Sequence, residues 1–406
     1  MNNKFLMLVF ALLQSFYGFS QFKIVNQALK EINQKNPNTK LAQGYIKRAI
    51  NDTLSSKYAK TWYSAGLIEY KVYDLERRKE TPDYIKMYDA VYNGYYYFLK
   101  AAELDMFPNK KGIVDPQYIN DIKKAIKEKE TCFVEGGAYF WDMKMYNKAY
   151  NMFDTYTNIP ETSLFKNAAF KPDTLYYKIM FCKGLASSKL RNPRQTIAIY
   201  ESLKGSNYRE NDVYQYITYE YKNMKDMQNF EISLIEGANK YPGEEYFVNT
   251  LTDYYLKRDK YDEALEFINR SLAANNCPEY YNIKGRLLEY KNREDEATMC
   301  YNFAIEGDSL YFEALGNAGR IYYNKAVDIM DKAYNLNDRD YDDVMNNKVR
   351  PLYTKSLPYY EKAYRINPED RGTYRALRDI YYRLGMIKES DKLAEEYQKR
   401  EEAEEE

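Results

Sequence analysis

From residue 22 onward, apolar residues recur at three- and four-residue spacing almost throughout the chain. Gly and Pro fall mostly between such segments, and no period-two run of useful length appears. This pattern predicts helices and no sheet. The segment Phe22–Asn51 reads as one hairpin, with arms Lys23–Asn33 and Leu41–Ile50 around a turn at Asn36-Pro37-Asn38. A second hairpin has long arms, Tyr58–Lys79 and Tyr84–Leu104, joined through Thr81-Pro82-Asp83. Pro108–Gly112 breaks the chain, and Asp115-Pro116 is expected to cap one long helix over Pro116–Met143. Shorter hairpins follow. One closes with Tyr146–Thr157 and Pro160; others span Thr174–Leu203, Asp212–Lys240, Glu245–Ala273, Glu279–Ile305 and Arg371–Lys399. Phe312–Asn367 is longer than its neighbours by about 25 residues. It is expected to form lengthened arms joined by an acidic loop, Asn335–Asp343, with Pro351 and Pro358 starting or kinking the second arm. The run Glu401–Glu406 is too charged to pack and is expected to fray.

The position that opens each second helix returns with a fixed period: Thr196, Phe230, Ala264, Ala297, Ser356 and Ser390. Four of the five intervals are 33 or 34 residues and the other is 59. Such a period marks a solenoid of helical hairpins, which usually supplies extended surfaces rather than catalytic pockets.

Within that period the residues resemble the tetratricopeptide repeat (TPR) family. The clearest repeat shows Tyr281, Lys284-Gly285, Leu288, Ala297, Tyr301 and Ala304. Another shows Phe133, Gly136-Gly137, Phe140, Ala149, Phe153 and Tyr156. Leu315, Ala318-Gly319, Tyr322, Tyr360, Ala363 and Pro368 fit across the insertion, and Tyr374, Leu377, Tyr381, Ser390, Ala394 and Tyr397 form the last repeat. The N-terminal pair keeps Trp62, Ala65-Gly66, Tyr70, Leu99 and Ala102. Thr218 and Thr252 stand where a glycine is expected, Phe230 replaces the first alanine, and Gly237 and Ser271 stand for the second. The resemblance implies an all-α, right-handed α-solenoid of TPR-type hairpins, two of them with lengthened arms. It divides the chain into N-terminal TPR-like hairpins over 21–112, a TPR solenoid over 113–399 with an insertion around 324–355, and an acidic tail over 400–406.

The resemblance also implies a site. In TPR arrays the first helices line a concave face that receives a peptide or another protein. The positions projecting there are Asn249, Asp253, Asn282, Arg286, Glu289, Arg320, Tyr323, Arg375, Asp379 and Tyr382. Polar groups of both signs suit hydrogen bonding to a peptide. Asn282, Arg286 and Arg320 match part of the carboxylate clamp of some TPR domains, but the full set is absent.

Composition narrows the chemistry. Lys+Arg and Asp+Glu are both 60, so no basic footprint points to nucleic acid. The chain has no histidine, which removes the commonest general base and most zinc sites. Its 47 tyrosines read as helix packing, with a tyrosine-lined groove compatible with that. Cys132, Cys182, Cys277 and Cys300 form no C-x-x-C pair and are expected as free thiols. Asp338, Asp340 and Asp342 imitate the opening of a calcium loop, but the required glycine and closing glutamate are missing. No catalytic residue, metal site or cofactor is expected.

Met1–Ser20 reads as a secretory signal peptide. Lys4 supplies the positive charge, Phe5–Leu13 the apolar run, and Gly18 and Ser20 a cleavage site before Gln21. The leading expectation is therefore an exported, non-catalytic scaffold, most naturally periplasmic, that binds a protein or extended peptide, with an envelope complex as its setting. The alternative is a glycan- or small-ligand-binding component of an uptake system.

Overall fold

The computed structural model describes residues 22–108, 112–166 and 170–405, with side chains through Arg400. The expected leader over 1–20 lies outside the described residues. Those described are helical with no strand, and no helix among them is long and apolar enough to cross a membrane.

Two compact units divide the chain between Lys225 and Asp226. The first pairs α1 (Lys23–Ile32) with α2 (Thr39–Asn51), and the long-armed α3 (Ala59–Arg77) with α4 (Tyr84–Asp105). After α5 (Ile119–Glu128) come the pairs α6 (Glu130–Asp142) with α7 (Tyr146–Asn158) and α8 (Thr174–Lys189) with α9 (Pro193–Glu201), then α10 (Glu210–Asn223). The second unit opens with α11 (Met227–Lys240). It then pairs α12 (Glu245–Leu256) with α13 (Tyr261–Ala274), α14 (Pro278–Tyr290) with α15 (Glu294–Gly307), α16 (Phe312–Ala333) with α18 (Arg350–Ile366), and α19 (Arg371–Arg383) with α20 (Ile387–Glu405). In each unit the second helix of one hairpin also packs on the first helix of the next, as in α13 on α14 and α15 on α16.

Three details depart from the sequence pattern. The long helix expected over Pro116–Met143 starts at Ile119 and is interrupted at Lys129 (φ −111°, ψ 7°). Lys129 turns its ammonium onto Asp74 and over the Tyr73 ring, 4.7 Å from the centroid, so a contact to α3 accompanies the break. The acidic stretch expected as a loop is helical. Asn337 caps a short helix α17 (Asp338–Val344), and the chain runs through a π-turn at Met345–Val349 straight into α18. Asp338 and Asp340 in its first turn favour that start, because carboxylates stabilise a helix N-terminus. Finally, the backbone of the acidic tail continues α20 as helix to Glu405 rather than fraying.

One contact recurs down the hairpins. A glycine of the first helix faces an aromatic ring 16 residues later on the second: Gly137 with Phe153, Gly184 with Tyr200, Gly285 with Tyr301. Across the insertion the pair is Gly319 with Tyr360, and across the N-terminal long arms Gly66 with Phe98. A Cβ on Gly184 would sit 2.6 Å from Tyr200, and one on Gly285 2.5 Å from Tyr301. Both rings are fully buried, so neither can yield. Where Thr252 replaces the glycine, the residue 16 positions on shrinks to the buried Ile268. Ser356, standing for the repeat alanine, donates its hydroxyl to the carbonyl of Gly319 at 2.8 Å.

The short turns repeat as well. Lys144, Arg191, Lys225, Asp259, Asn292 and Gly385 all have positive φ, between 54° and 78°. At Lys144, Arg191, Asn292 and Gly385 a pair of backbone bonds closes the first helix, as in Asn292 N to Glu289 O and Arg293 N to Leu288 O. This is the left-handed cap that ends many helices.

The first unit also buries a carboxyl. Glu69 on α3 is 6 % exposed and accepts a hydrogen bond from Gln43 at 2.9 Å. Burial pushes its pKa from 4.5 up to about 7, against the opposing pull of Gln43 and Lys86.

Two tests follow from this packing. Gly285→Val should lower stability by about 1–3 kcal/mol through overpacking against Tyr301. Gly44→Ala, where an added Cβ meets nothing, should be neutral or stabilise by up to about 1 kcal/mol; paired thermal melts read both. The Glu69 carboxyl binds its proton more tightly folded than unfolded, so stability should fall as pH rises from 4.5 to about 7. Denaturant midpoints across that window should show the decline in the parent and its loss in Glu69→Gln.

Candidate functional site

The hairpin packing turns one face of each first helix away from its partner. In the second unit these helices are α12, α14, α16 and α19, and the repeat spacing aligns their side chains in rows. One row holds Asn249, Asn282, Gly316 and Arg375; the next Asp253, Arg286, Arg320 and Asp379; the third Leu256, Glu289, Tyr323 and Tyr382. Every site residue predicted from the sequence falls in these rows.

The structure sorts them into groups already committed and groups left open. Asn282 is 6 % exposed and does not project as a free contact. It donates to the Tyr311 hydroxyl at 3.1 Å and accepts from the Asn317 amide at 3.0 Å, because two successive first helices crowd it. Arg320 donates to Glu289 Oε1 at 2.8 Å and to Asn317 at 3.4 Å, while the Tyr301 hydroxyl donates to the same Glu289 oxygen. Burial opposes the charge on Arg320, but Glu289 outweighs it and holds the guanidinium above its ordinary value. Tyr323 donates to Asp379 at 3.0 Å, and Arg383 donates to the other Asp379 oxygen at 3.3 Å. Burial first, then that bond to Asp379, raises the Tyr323 phenol. These residues brace neighbouring helices.

Asn249, Asp253, Arg286, Arg375 and Tyr382 are exposed, and none has a side-chain hydrogen bond or ion pair among the described residues. Arg286 stands out among them. It lines a cavity of about 410 Å³ with Gly316, Arg320 and Thr373, a second of about 270 Å³ with Glu289 and Tyr290, and a third of about 70 Å³ with Asn249 and Asp253. Asp253 and Arg286 flank that third cavity from adjacent helices without forming an ion pair.

The 410 Å³ cavity opens where Gly316 stands in the row that elsewhere carries Asn249, Asn282 and Arg375. A Cβ built on Gly316 meets nothing within 4 Å. Phe312 and Tyr360 supply its apolar lining, and Glu313, Asp370, Gly372 and Thr373 border it. Reading the sequence by side chains missed this feature; the signal was a glycine where the other repeats carry a polar residue.

The chemistry offered is recognition by charge and hydrogen bonding. Among the described residues no group of Asp, Glu or Cys could hold a metal ion. All four cysteines are free, and burial pushes each thiol up, away from the reactive thiolate.

The two central arginines should differ in stability. Arg320→Glu sets a carboxylate against Glu289 and should cost about 1 kcal/mol or more. Arg286→Glu should stay within about 0.5 kcal/mol of the parent in chemical denaturation.

No family model matches the chain, and no curated protein matches it in sequence. Among solved structures it is similar to the MamA protein, at 16% identity and TM-score 0.36, covering 47% of this chain and 92% of that one. It is also similar to a TPR repeats protein from Bacteroides fragilis, at 17% identity and TM-score 0.31, covering 62% and 98%. A tetratricopeptide repeat protein from Parabacteroides merdae shares 12% identity at TM-score 0.34, covering 62% and 99%. At such scores these likenesses carry no weight of their own; the helix pairing and glycine–aromatic register describe the fold.

Proposed function

We propose that this chain is a non-catalytic TPR-type scaffold that binds another protein, or an extended segment of one, along the first-helix face of its second unit. The observation that carries the reading is Arg286, an exposed guanidinium with no partner among the described residues, bordering three adjoining cavities. Leaving a charge unpaired on a rigid face gains the fold nothing. It preserves a strong donor for a carboxylate or carbonyl oxygen of a bound chain. Asn249 and Asp253 beside it add an amide and an acceptor suited to peptide backbone. The signal-like residues Met1–Ser20 support placing this scaffold in the exported compartment of a bacterial envelope, most naturally the periplasm.

The test is capture of partners by the purified chain from an envelope extract, with Arg286→Glu as its control. The proposal expects a protein cross-linked to α12, α14 or α16, bound about tenfold or more weakly by the variant at unchanged melting temperature. A partner bound equally by both proteins would move the site off this face. Retention of glycans with no protein partner would replace the reading with a carbohydrate-binding one.

A further inference from the structure

Resting on that groove, we propose that the Gly316 cavity reads a specific pattern in the bound segment: an acidic side chain on Arg286 and a basic side chain about three residues away on Glu313. The cavity is polarised along α16. Glu313, Gly316 and Arg320 all line it, and residues three, four and seven apart lie on one helix face. Arg286 shares its row with Arg320, so the positive end of the cavity holds two guanidinium groups. Arg320 is already committed to Glu289 at 2.8 Å, whereas Arg286 is not. At the other end Glu313 is exposed and has no hydrogen bond or ion pair among the described residues. Its neighbour Asp370 is partly used, with one oxygen accepting from the Thr373 amide at 2.7 Å.

The lining charges with no hydrogen bond or ion pair at all among the described residues, Arg286 and Glu313, are therefore one of each sign. On α16, Glu313 lies seven residues from Arg320, whose row Arg286 shares on α14, so the two rows differ in level by about 10 Å at 1.5 Å per residue. An extended segment advances about 3.3 Å per residue, so its matching charges fall about three residues apart. Between them lies the notch that Gly316 opens, walled by Phe312 and Tyr360. It offers room and apolar surface for the stem of a long basic side chain whose head reaches Glu313.

Selection of displayed random peptides on the purified chain tests this, run in parallel on Gly316→Trp, Glu313→Lys and, as a control away from the groove, Gly44→Ala. The tryptophan fills the notch from a position where an added Cβ meets nothing, so the fold should survive, and a melt confirms it. The parent and Gly44→Ala should enrich peptides with Asp or Glu three or four residues from Lys or Arg. Gly316→Trp should bind those peptides about tenfold or more weakly. Glu313→Lys should exchange the basic requirement for an acidic one. Enrichment of peptides without the charge pair, or equal binding by folded Gly316→Trp, overturns the notch and leaves the groove reading standing. Absence of any enriched peptide on folded parent protein overturns both.

Discussion

The distance between the two helices of a hairpin is set where a glycine of the first meets an aromatic ring of the second. Without a Cβ the backbone lies against the ring face, and the ring, being buried, cannot rotate away. This spacing has consequences well beyond the pair. It decides which face of the first helix is used up in packing, and so which face remains for recognition. Because the same contact recurs with the repeat, successive first helices present corresponding residues in rows. The rows of the second unit therefore depend on contacts such as Gly285 with Tyr301 and Gly319 with Tyr360 that no ligand would touch.

The repeat was legible in the sequence because packing at close range leaves a periodic trace: small residues and aromatics in fixed register. Departures from that trace were less visible. The break at Lys129 follows no glycine or proline; it coincides with an ion pair to Asp74 and a ring contact to Tyr73, more than fifty residues earlier. The acidic stretch before Met345 reads as loop by charge alone, yet the same carboxylates favour a helix start once Asn337 caps it. At the site the helix face was readable and the state of each side chain was not. Whether a polar residue is free depends on its neighbours in three dimensions, and Asn282 is tied up by Tyr311 and Asn317 from the following repeat.

This division of labour gives the groove its character. Arg320, Glu289, Asn282 and Asn317 form a connected network whose members hold one another in place. Arg286, Asp253 and Glu313 stand beside it with their bonding capacity unspent. A rigid polar frame carrying a few unpaired charges is well suited to discrimination. The frame resists rearrangement, and a mismatched charge brought against it meets repulsion that nothing nearby relieves.

The short turns give the array a property of a different kind. Five of them place Lys144, Arg191, Lys225, Asp259 or Asn292 in the left-handed region, which costs a residue with a Cβ of order 1 kcal/mol; the sixth uses Gly385. In a linear array, total stability is close to a sum of repeat and neighbour terms. These turns therefore act as separate, nearly identical reserves distributed along the chain. The molecule can drift toward greater or lesser stability one hairpin at a time, by exchanging a turn residue that faces neither the groove nor the core.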